Sequence, residues 1–86
     1  MKLIKISAIW CPSCLIMEKI WQDLQEEFNN IEFISYDYDL DDEVELYNPK
    51  DVLPVLILMD HNKELVRFIG EKNKEELIEG IRQYEK

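Results

Sequence analysis

Cys11 and Cys14, in the segment IWCPSC, are the only cysteines of an 86-residue chain. A pair spaced C-x-x-C suits three chemistries: a structural disulfide, part of a metal site, or a dithiol that exchanges with other disulfides. The third is set by thiolate supply, because the thiolate is the attacking species. Cys11 stands where a strand gives way to a helix, and the unpaired N–H groups there favour negative charge on sulfur. Cys14 follows one turn along, shielded behind an exposed Cys11 and placed to attack a mixed disulfide formed on it.

The other two chemistries fit less well. A disulfide across so short a loop constrains the unfolded chain little. A structural zinc site takes about four ligands, and the remaining soft candidate, His61, belongs to a distant turn. Copper-chaperone domains also carry an early C-x-x-C, but they end on a strand, whereas this chain ends on a helical pattern. DYDLDD, at Asp37 to Asp42, has the acidity of a calcium loop but lacks glycine at its sixth position and glutamate at its twelfth. It reads as a solvated acidic loop.

The elements that must hold the pair are legible from periodicity. Lys2 to Ile9 alternates, with mostly apolar residues on both faces, as a central strand does. Pro12 to about Asn29 reads as one helix, with Cys14, Met17, Trp21, Leu24 and Phe28 on one side and proline at its first position. Ile31 to Tyr38 is a second strand. An acidic loop with a short helix before Pro49 follows, and Val52 to Met59 is a buried strand entered through Pro54. Asp60 to Lys63 is a turn, and Glu64 to Gly70 returns as a strand. Asn73 and Glu76 form a capping-box-like start to a last helix, with Leu77, Ile78, Ile81 and Tyr84 along one face. The order β-α-β-(α)-β-β-α predicts an α/β fold with a four-stranded mixed sheet and helices on both faces. Its first two strands are parallel and its last two antiparallel.

Composition sets the outer bounds. Hydrophobic residues make up 47% and charged residues 34%, an ordinary globular balance, and the length predicts a single domain over residues 1–86. The net charge of −9, without a basic stripe, argues against nucleic acid and against an anionic membrane surface. No apolar run approaches the roughly 20 residues of a membrane span, and MKLIKISAI reads as a strand instead of a leader. A cytoplasmic monomer is the expectation.

The segment around the cysteines resembles the Trp-Cys-x-x-Cys site of the thioredoxin superfamily. VLPV is similar to that family's cis-proline segment, and RFIG to its strand end with a groove-lining glycine. The resemblance covers nearly the whole chain. It implies a thioredoxin-like fold, Cys11 and Cys14 as catalytic thiols, and a substrate groove bordered by Trp10, Pro12, Leu53, Pro54 and Gly70, with a cis Leu53-Pro54 bond. It implies no metal and no cofactor beyond the Cys11–Cys14 pair itself, which cycles between dithiol and disulfide. The partners implied are disulfide-containing proteins, and a reductase or thiol donor to regenerate the pair. Proline after the first cysteine is closer to glutaredoxins, but the Thr-Val-Pro and Gly-Gly segments of that branch are replaced by VLP and IGEKN, and an acidic protein is a poor host for anionic glutathione. The reading is therefore a protein-disulfide reductase; a metal-binding thiol protein and a glutathione-linked enzyme are the alternatives. One position departs from the family. Where typical thioredoxins place a buried acid, this chain has Lys5, with Ser35 opposite on the next strand. Lys5 is expected to lie partly buried under Cys14, to tune its proton chemistry and to reach a carboxylate, with Asp37 the nearest candidate by register; the alternative is that its stem packs while the amine reaches water.

Overall fold

The computed structural model describes residues 1–47, 49 and 52–84. The chain runs β1 (Lys2–Ser7), α1 (Pro12–Ile16), α2 (Glu18–Glu27), β2 (Glu32–Asp37), a 3₁₀ helix (Asp42–Tyr47), β3 (Val55–Asp60), β4 (Lys63–Ile69) and α3 (Lys74–Arg82). The sheet order is β2-β1-β3-β4. β1 pairs parallel with β2, placing Lys5 opposite Ser35, and antiparallel with β3. β3 and β4 form an antiparallel hairpin, closed where His61 adopts a positive φ of 58°.

β1 is flanked by strands on both edges and packed by a core on each face, so Leu3 to Ile6 are all buried. Its side chains feed two cores. Leu3 packs with Trp21, Leu24 and Phe28 of the helical side and with Leu77 and Ile81 of α3. Ile4, Ile6 and Ala8 pack on the opposite side with Val44, Leu53, Val55 and the two cysteines. The period of two in the strand thus sorts its residues between two apolar layers. α3 starts where the Asn73 side chain accepts from the Glu76 N–H at 2.8 Å, and lies close enough on the sheet that a Cβ at Gly80 would stand 2.6 Å from the Phe68 ring.

Three boundaries differ from the sequence pattern. The single helix expected from Pro12 is interrupted at Met17, whose ψ of −2° leaves the helical repeat. Met17 is held on both sides of the break. Its N–H bonds to the Ser13 carbonyl, its carbonyl accepts from Trp21, and its thioether accepts from the Lys72 N–H at 3.4 Å. β3 starts at Val55 instead of Val52, after the cis Leu53-Pro54 bond, because proline has no N–H to offer a ladder. The last helix ends at Arg82, so Tyr84 lies beyond it and is exposed instead of joining Leu77 and Ile81 in the core.

Candidate active site

Cys11 is the N-cap residue of α1, with extended backbone (φ −95°, ψ 112°), and Pro12 supplies the first helical residue. Its sulfur turns back over the helix start and accepts from the Cys14 N–H at 3.3 Å. The thiol in turn donates to the Leu53 carbonyl, 3.7 Å away. Both cysteines are free thiols. The expected contrast of an exposed Cys11 over a shielded Cys14 does not hold, since the residues are 5% and 6% exposed. Tucking the Cys11 sulfur between an N–H and a carbonyl is what covers it.

Burial pushes the Cys14 thiol up from its ordinary 9.0 to about 11, and its hydrogen bond with Cys11 adds to this. A backbone hydrogen bond from Ala8 and the Lys5 ammonium pull in the opposite direction. Cys14 is therefore a protonated thiol at neutral pH, and it must lose that proton before it can attack.

The residues expected to border a groove are linked to Cys11 or to one another near it. Leu53 is linked to Cys11 directly. Pro54, cis-bonded to Leu53, accepts at its carbonyl from the Gly70 N–H at 2.9 Å. Gly70 has φ +82°, a conformation glycine adopts without cost, and a side chain there would also crowd Val52. Trp10 is 60% exposed beside Cys11. Its indole N–H donates to Asp39 at 2.6 Å and its ring meets Tyr38 edge-on. Pro12 is exposed on the same helix start.

Lys5 is buried, as expected, but the carboxylate it reaches is Glu18 at 3.1 Å, not Asp37. Asp37 is committed elsewhere, because its carboxylate accepts from the Asp39 and Leu40 N–H groups in the turn after β2. The Lys5 ammonium also lies 4.9 Å from the centre of the Trp21 ring. Glu18 and Asp39 are the site neighbours that sequence reasoning missed. The first sits just past the unforeseen break at Met17, and the second sits in a loop without periodicity. Among the described residues, no group of three or more His, Cys, Asp or Glu side chains is arranged to hold a metal ion.

A mixed sheet that presents a C-x-x-C at a strand–helix junction, with a cis-proline beside the first sulfur, defines the thioredoxin-fold class. The comparisons agree and go further: the family described as Thioredoxin matches residues 1–83, and the chain belongs to that family. It is 34% identical over 83 residues to Thioredoxin H5 of Oryza sativa subsp. japonica, covering 94% of this chain and 59% of that one. It is 30% identical over 84 residues to a thioredoxin of Chlamydia trachomatis, covering 96% and 81%. The chain spans 54% to 59% of the length of the plant relatives it matches. Among solved structures, the thioredoxin of Fasciola hepatica superposes with a TM-score of 0.85 at 24% identity, covering 98% of this chain and 80% of that one; this likeness carries the fold. Among the described residues, no helix is long and apolar enough to cross a membrane.

Proposed function

We propose that the chain is a thiol-disulfide oxidoreductase that reduces protein disulfides through Cys11 and Cys14. The observation that carries this reading is the placement of the Cys11 sulfur between the Cys14 N–H and the Leu53 carbonyl, beside cis-Pro54. The N–H stabilises a thiolate once the proton leaves. That thiolate attacks one sulfur of a substrate disulfide. A Cys11–substrate bond forms, the substrate S–S bond breaks, and the departing sulfur leaves as a thiolate that takes up a proton. Cys14, deprotonated in its turn, attacks the Cys11 sulfur. The Cys11–Cys14 disulfide forms and the second substrate sulfur is released, so the substrate gains two electrons and two protons and the enzyme becomes oxidised. An external thiol donor or reductase restores the dithiol. Leu53 offers backbone groups to an extended substrate segment, with Trp10, Pro12, Pro54 and Gly70 bordering it. Lys5 is a positioning residue whose ammonium favours the Cys14 thiolate during the second step. The cytoplasm is the setting this direction implies, since thiol donors are kept reduced there.

The test is a trapping experiment on the prereduced protein with a disulfide-bonded protein such as insulin. Cys11→Ser abolishes reduction, whereas Cys14→Ser accumulates a stable mixed disulfide on Cys11. An adduct on Cys14 in the Cys11→Ser protein reverses the assignment of roles. Absence of insulin reduction by the unmodified dithiol removes the function.

A further inference from the structure

The dithiol lies where an apolar rim meets a wall of single-signed charge. Ile9 and Trp10, which precede Cys11, and Val52 and Ile69, which precede Leu53 and Gly70, are exposed. Gly70 brings Val52 and Ile69 near one another: it follows Ile69, a Cβ added to it would stand 3.3 Å from the Val52 side chain, and its N–H bonds to the Pro54 carbonyl. On the Trp10 side, Asp37, Asp39, Asp41, Asp42, Glu43 and Glu45 follow within nine positions, and residues 20–49 contain no lysine or arginine. Asp39 joins the two regions physically, through its hydrogen bond to the Trp10 indole.

Local structure absorbs only part of this acidity. Asp37 and Asp41 accept backbone N–H groups of the turn. None of the six carboxylates is in an ion pair among the described residues. Beside Trp10's anchor, a cavity of about 370 Å³ is lined by Tyr38, Asp39, Asp41, Asp42, Val44 and Glu45. The Tyr36 phenol is pushed up by burial first, then by Tyr47, with smaller contributions from Glu43 and Asp41.

Resting on the oxidoreductase reading, we propose that the preferred substrates are protein segments whose disulfide is flanked by lysine or arginine, the apolar residues covering the rim and the cations entering the acidic cleft. Charge complementarity selects this occupant. An acidic segment brought onto the same rim would face uncompensated carboxylates, which penalises the wrong partner and slows its encounter.

The experiment measures single-turnover reduction by the prereduced chain of two disulfide peptides that differ only in having lysine or glutamate beside the cysteines. A small neutral disulfide serves as a third probe. At low salt the lysine peptide should react about tenfold faster or more, with the ratio falling towards one at roughly 0.5 M salt and in the Asp42→Asn/Glu45→Gln variant. Equal rates for the two peptides at low salt, with the small disulfide still reduced, overturn the substrate class and leave the oxidoreductase standing. Failure to reduce even the small disulfide overturns both. Because salt acts on the unmodified chain, the outcome does not depend on the variant folding.

Discussion

Lys5 on β1 and Glu18 at the start of α2 form an ion pair with one end inside and one end outside. The lysine side chain is 7% exposed and the glutamate 54%, with 3.1 Å between Nζ and Oε2. Among the described residues Lys5 is the one buried charged side chain. The glutamate reaches in from solvent to meet it, so the lysine keeps a partner while the glutamate keeps most of its hydration.

This asymmetry separates electrostatics from packing. Lys5→Met retains the stem that packs near Trp21 and removes the charge. It leaves only a solvated Glu18 unpaired, so stability should change by no more than about 1 kcal/mol. Resolution of the mixed disulfide by Cys14 should slow by roughly threefold or more near neutral pH, because the one cation favouring its thiolate is gone. Glu18→Gln should not slow that step. Stopped-flow resolution rates across pH check both; equal slowing in the two variants would assign Lys5 a packing role only.

The raised Cys14 thiol sets a pH dependence with a definite sign. Below about pH 9 Cys14 is protonated in both the folded and the unfolded chain, and its contribution to stability is fully present. Between 9.0 and about 11 the unfolded chain loses the proton first, so this contribution is lost as pH rises through that window. Urea midpoints of the reduced protein should therefore fall more steeply from pH 8.5 to 10.5 than those of Cys14→Ser. Below this window the resolving step should accelerate about tenfold per pH unit, as expected for attack by a minor thiolate.

Asn73→Ala removes the side-chain acceptor for the Glu76 N–H at the start of α3. The expected loss is about 1 kcal/mol, read from denaturant midpoints. Asn73→Asp should retain most of the stability, since aspartate caps equally well and suits the positive end of the helix.

Gly80→Ala tests how tightly α3 lies on β4. Helix propensity alone favours alanine by about 1 kcal/mol, but the added methyl would meet Phe68 ring atoms at 2.6 and 2.7 Å. The clash should win, with a net loss of roughly 1–3 kcal/mol. Phe68→Leu in the same chain should recover part of it. Stabilisation by Gly80→Ala alone would show that the ring can swing aside.

What the sequence revealed follows from which interactions are periodic or local. The strands, the place of β1 inside the sheet, the Asn73 cap and the Lys5–Ser35 register all rest on spacing, and spacing is visible. Cys11, Cys14, Pro54 and Gly70 were legible because a resemblance fixed their meaning. The Met17 break was hidden because an apolar residue there satisfies the same helical stripe whether or not the backbone turns at that point. Once the break was missed, Glu18 read as an outward residue of a continuous helix, and Asp37 was preferred as the partner of Lys5 on register alone. Register could not show that Asp37 was already engaged by the backbone two and three residues on. The covering of Cys11 comes from the Leu53 carbonyl, 42 positions away, and no local pattern reports a contact of that range.

The hydrogen on the Cys11 sulfur links readiness to attack with readiness to grip. While it is present, it points at the Leu53 carbonyl, the acceptor that the proposed cycle gives to an incoming substrate strand. A thiolate or a disulfide has no hydrogen to place there. In the proposed cycle, losing one proton therefore arms the nucleophile and frees one of the two acceptor positions of that carbonyl. The resting dithiol then shares the Leu53 carbonyl with an incoming substrate strand, whereas the thiolate leaves the carbonyl wholly to that strand.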